Sequence, residues 1–163
     1  MKKTGFAAAL VCAVMLLGSC ARVVQGTDGM LDYAREKHGE ALVESGTLSR
    51  SEHCLAWFTM TDPSQKLCIP IAFVQLADGY YQLTDDINTF LNANACACKW
   101  QEGIAIHIEN TDINEIIVTC EPDDVHILVD QYPYNYFLQE PGYKGNPGDI
   151  KFLDNEDNVL IQI

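Results

Sequence analysis

Carboxylates on three short alternating segments are the first sign of chemistry in this sequence. Ile104 to Glu109 alternates apolar and polar residues with period two, as a half-buried strand does. Glu115 to Cys120 and Val125 to Asp130 follow across turns at 110–114 and 121–124. A meander with those turns sets Glu109 opposite Glu115 and Glu115 opposite Asp130. Directly opposed like charges destabilise a sheet. Such a row therefore calls for a slipped register, a solvated end or a cation. Calcium is the ion that fits, because it takes oxygen ligands in irregular geometry, and Asp112 in the adjoining loop adds a donor. No other cofactor is implied. The same register puts His107 and His126 roughly 12 Å apart on one face, too far to share a metal or act as a pair.

Aromatic residues concentrate in Tyr132-Pro133-Tyr134-Asn135-Tyr136-Phe137, with Tyr143 beyond. A connection over 131–149 is long enough to be functional or to hide an element. Exposed, Tyr132, Tyr134, Tyr136 and Tyr143 would stack on sugar rings or form a protein-binding patch. The alternative is a partly buried strand over 134–138. No catalytic motif of the Gly-x-Ser-x-Gly, His-Glu-x-x-His or phosphate-loop kind occurs. His53 beside Cys54 is adjacency without a fold-built pair. No residue is assigned to catalysis, and a hydrolase using two carboxylates is left as a third reading.

The N-terminus carries an address. Lys2 and Lys3 precede an apolar run from Phe6 to Leu17, and Gly18, Ser19 and Cys20 follow. That is the layout of a secretory signal, and the run is too short for a spanning helix. Leu17-Gly18-Ser19-Cys20 resembles the lipobox of bacterial lipoproteins. The resemblance covers residues 1–20 and implies cleavage before Cys20, acylation (palmitate among the usual chains) of its thiol, and anchoring of the exported protein on a bacterial membrane, at its periplasmic face or the cell surface. Cleavage after Ala21 by the general signal peptidase is the alternative.

Composition bounds the rest. Loss of residues 1–19 leaves 144 residues and takes the net charge from −13 to −15, because Lys2 and Lys3 depart. Such a chain is a poor nucleic-acid binder. It is repelled by anionic lipid, so the acyl chains must hold it to the membrane. Basic proteins or cations suit its surface. Cys54, Cys68, Cys96, Cys98 and Cys120 remain for an oxidising compartment, where disulfides are expected. Cys96 and Cys98 in extended chain lie about 6.6 Å apart with parallel side chains, so each is expected to pair elsewhere. Cys-x-Cys is a poor zinc spacer.

These residues need elements to hold them. A helix is expected over about 30–43, capped by Thr27 or Asp28 and stopped near Gly46. Strands are expected at 54–60, 67–77 and 80–83, then a short second helix at about 85–93 with Thr84 as its cap. After the meander, strands at 150–154 and 159–163 close a hairpin. The expected class is α+β, with a mainly antiparallel sheet of short strands and hairpins. Residues 1–19 would be the lipoprotein signal, 20–27 a tether, and 28–163 a single globular domain. The expected role is an anchored, non-enzymatic protein that binds a partner such as a basic enzyme or toxin. A carbohydrate-binding module using the Tyr132–Tyr143 segment is the alternative.

Overall fold

The computed structural model describes residues 22–62, 67–87, 90–92, 95–139 and 149–163. The expected signal over 1–19, Cys20 and Tyr143 lie outside these residues. Among them are thirteen strands in three antiparallel sheets and one α-helix.

The first sheet holds β1 (Val23–Gln25), β2 (Leu42–Arg50), β3 (His53–Met60), β4 (Cys68–Gln75) and β5 (Tyr80–Asp86), in the order β1-β5-β4-β3-β2. The second holds β6 (Phe90–Asn92), β7 (Ala95–Trp100), β8 (Gly103–Ile108) and β11 (Tyr134–Leu138), in the order β11-β8-β7-β6. The third holds β9 (Glu115–Val118), β10 (Val125–Leu128), β12 (Ile150–Leu153) and β13 (Val159–Gln162), in the order β10-β9-β12-β13. Helix α1 (Gly26–His38) and a single 3-10 turn at Ala77–Gly79 complete the described elements.

Three apolar clusters define the layers. Met30, Tyr33 and Ala34 of α1 pack on Cys54, Ala56, Phe58, Ile71 and Phe73 of the first sheet. The other face of that sheet offers Leu55, Trp57 and Ala72 to Cys96, Cys98, Trp100 and Ala105 of the second. The second sheet then turns Ala95, Ala97, Ile104, Ile106 and Ile108 towards Ile116, Val118, Ile150 and Phe152 of the third. The order is helix, sheet, sheet, sheet. Burial on both faces explains why β7 and β8 are almost continuously buried instead of alternating between core and solvent.

The expected α+β class, with two helices, does not hold; the fold is β-rich with a single helix among the described residues. Two local errors produced it. The first helix is shifted: it starts at Gly26 and stops at His38, where Gly39 (φ 124°) ends it in a conformation only glycine adopts readily. Leu42 and Val43, which complete a helical stripe on paper, instead pair with Met60 and Thr59. The second expected helix, 85–93, is strand on both sides of its centre. Asp86 and Asp85 pair with Ile71 and Ala72, and Phe90–Asn92 pairs with β7. A helix of about nine residues is marginal by itself, so distant strand pairing wins.

Candidate functional site

Polar side chains from two sheets meet where β2 crosses β8 and β11. Glu44 pairs with Phe58 and Gly46 with Trp57, so Ser45 is the extra residue of a β-bulge. A bulge re-aims its side chain, and the Ser45 Oγ comes 3.0 Å from His107 Nε2. The ring's other nitrogen, Nδ1, donates to Asn135 Oδ1 at 2.7 Å. Asn135 sits directly across from His107 in the β8–β11 ladder. His107 is 1 % exposed and stacks on Trp57, with ring centroids 5.4 Å apart and planes 19° apart. Glu109 closes the group. It accepts from the Ser45 hydroxyl and, at 3.1 Å, from the Thr59 hydroxyl; its Oε1 lies 3.7 Å from His107 Nε2. Gly46 makes room for Asn135, because a Cβ there would stand 2.3 Å from Asn135 Nδ2.

His107 is the main reason the Glu109 carboxyl is held at about 2, below its ordinary 4.5; burial acts against this, and the Ser45 and Thr59 hydroxyls add to it. At 3.7 Å the imidazole lies beyond hydrogen-bond reach of the carboxylate oxygen.

Serine, histidine and asparagine in this order have the outline of a nucleophile, a base and an orienting group. The donors argue for another role. A serine nucleophile must point its proton at the imidazole lone pair. Ser45 has one proton and gives it to Glu109, so that proton is not offered to His107 Nε2. The Ser45 and Thr59 protons both go to the Glu109 carboxylate, which stands beside the ring. This is a polar clamp between the first and second sheets.

The carboxylate row expected from the sequence is not assembled. β8 runs between β7 and β11, and β9 lies between β10 and β12, so Glu109 and Glu115 are not opposed. Glu115 pairs with Leu128 instead of Asp130, a register shifted by two from the expected meander. Glu115 Oε1 lies 2.7 Å from His126 Nδ1. Among the described residues, no group of three or more His, Cys, Asp or Glu side chains is placed to hold a metal ion. His107 and His126 lie in different sheets.

Tyr134 and Tyr136 sit in β11, the strand alternative, and Tyr132 just precedes it. Tyr134 and Tyr136 stack in parallel with centroids 6.0 Å apart and pack, half-buried, against the core between the second and third sheets. The Tyr132 hydroxyl donates to the Ile113 carbonyl. Cys68 and Cys96 form a disulfide that ties β4 to β7. Cys54, Cys98 and Cys120 are buried outside it. Burial raises the Cys54 thiol and pushes the Cys98 thiol up to about 12.

Sequence reasoning reached Glu109 but gave it the wrong company. Ser45 falls between the expected helix over 30–43 and its stop near Gly46, and its bulge has no local signature. Its partner His107 lies 62 residues away. Comparisons with protein-family models, curated proteins and solved structures find no match for this chain.

Proposed function

We propose that this chain is an exported protein, held on a bacterial membrane through a lipid on Cys20, whose β-rich domain recognises a basic protein partner. The signal at residues 1–20 supports the anchor. The Cys68–Cys96 disulfide supports an oxidising compartment.

The observation that carries partner recognition is the surface of the third sheet. Its edge strands β10 and β13 present Leu128 at 76 % exposure, Val159 at 51 % and Leu160 at 41 %. Acidic side chains adjoin them in sequence: Asp123, Asp124 and Asp130 around β10, and Glu156 and Asp157 before β13. Exposed apolar side chains flanked by acidic residues, with Lys151 of β12 the one basic side chain among the described residues of this sheet's strands apart from His126, suit a complementary partner, with charge steering encounter and apolar area holding the complex.

The full chain, cross-linked in cells and recovered with its neighbours, tests this. A basic protein should be captured, Leu128→Lys should lose it, and added salt should weaken it steeply. Capture that is indifferent to both changes would defeat the proposal. A fatty-acid label that disappears in Cys20→Ala tests the anchor separately.

A further inference from the structure

A cleft of about 190 Å³ opens where two tight turns meet the end of β11. Arg50 ends β2, Ser51 lies in the β2–β3 turn and His53 opens β3; the β7–β8 turn supplies Gln101 and Glu102; Gln139 follows β11. It stands apart from both the clamp and the exposed edges of the third sheet.

The lining is held before any ligand arrives. The Arg50 guanidinium carbon lies 4.1 Å from the centroid of the Phe137 ring, and its Nη2 donates to Gln139 Oε1 at 3.0 Å. Phe137 is itself braced edge-on by Trp100, at 5.7 Å. Both turns place a non-glycine residue in the left-handed region, Ser51 at φ 52° and Gln101 at φ 54°. Residues with a Cβ disfavour that region, and such strain tends to persist at binding sites.

The chemistry of the walls selects a ligand class. Arg50 offers donors only and Glu102 acceptors only. Ser51, Gln101 and Gln139 offer both, and the His53 ring takes either role. The charges of Arg50 and Glu102 balance, and His53 Nε2 has Glu52 at 3.9 Å. A free anion therefore finds no net attraction. Arg50 covers the Phe137 face, so the cleft does not recognise its ligand by stacking. What remains is dense, directional hydrogen bonding with no net charge to favour an ion. The volume lies below the roughly 300–1,000 Å³ typical of drug-sized pockets, so it suits one small ring. Each hydroxyl of a sugar both donates and accepts, as these walls require.

We infer that this cleft binds a single neutral hexose unit, free or at the end of a glycan, through hydrogen bonds donated by Arg50, accepted by Glu102 and both given and taken by Gln101 and Gln139.

Saturation-transfer NMR on the purified full chain tests this, using glucose, galactose, mannose and N-acetylglucosamine as probes and glucuronate as the charged comparison. A glycan array with the same terminal units separates the free sugar from the displayed one. At least one neutral probe should bind with a dissociation constant on the order of 1–10 mM. Arg50→Ala and Gln101→Ala should each weaken it about tenfold, and Tyr134→Ala should leave it unchanged. Gln101 is exposed in its turn, so its variant keeps the test sound if Arg50→Ala disturbs the packing on Phe137. No transfer from any neutral probe, a preference for glucuronate, or binding unaffected by Gln101→Ala would each overturn the inference.

Discussion

Replacing Glu109 by glutamine removes the charge of the clamp while keeping its shape. The native carboxyl titrates near 2 instead of 4.5, and each unit corresponds to about 1.4 kcal/mol. Taken whole, the shift is worth roughly 3 kcal/mol. The Glu109 side chain is 36 % exposed, so solvent screening reduces this to about 1–2 kcal/mol. A depressed folded-state value means stability that is fully present above the unfolded value. It is lost as pH falls from about 4.5 through 2. Urea unfolding of the wild type and Glu109→Gln at a series of pH values measures it. The variant should be less stable by about 1–2 kcal/mol at neutral pH, or roughly 3–8 °C in melting temperature. The gap should close as pH drops towards 2. A gap that stays constant with pH, or a variant as stable as wild type at pH 7, would refute the assignment of Glu109 to the clamp.

The Cys68–Cys96 bond spans 28 residues of sequence, so reduction should lower stability by about 3.5 kcal/mol in the chain-entropy account. Denaturation midpoints with and without reductant measure this, and Cys68→Ser should show no response to reductant. Cys54 and Cys98 are buried with raised thiols; alkylation followed by mass spectrometry should modify them only after unfolding. Gly103→Ala should cost about 2 kcal/mol or more, because its Cβ would lie 2.3 Å from the Leu138 carbonyl oxygen, a backbone atom. Gly46→Ala should cost less, about 1 kcal/mol, since Asn135 can swing away at the expense of its His107 bond. That penalty should vanish in an Asn135→Ala background, as thermal melts of the four variants would show.

Most strands were legible wherever the chain carries a local signal. β8 shows period-two alternation, β3 and β4 are apolar runs bounded by turn residues, and the final hairpin has Asn155 to Asn158 as its turn. β2 was not legible, because Leu42–Arg50 is polar and broken by Ser45 and Gly46. β7 was not legible either, because Ala95–Cys98 are small residues whose burial comes from sheets on both sides. The clamp was the least legible part. Glu109 stood out by charge, but Ser45, Thr59 and Asn135 are ordinary residues until β2, β3 and β11 bring them to His107.

The sequence by itself determined the signal-like N-terminus, the acidic balance and the places where the backbone prefers strand. These depend on composition and on neighbours a few residues apart. Tertiary structure alone decided which strands pair, which cysteine joins Cys96 and which groups surround Glu109. A strand's local pattern encodes which face is apolar, but not which distant strand will satisfy its edge. When β8 took β7 and β11 as partners instead of β9, the carboxylate row dissolved, and a histidine with no apparent partner became the buried centre of a half-buried network.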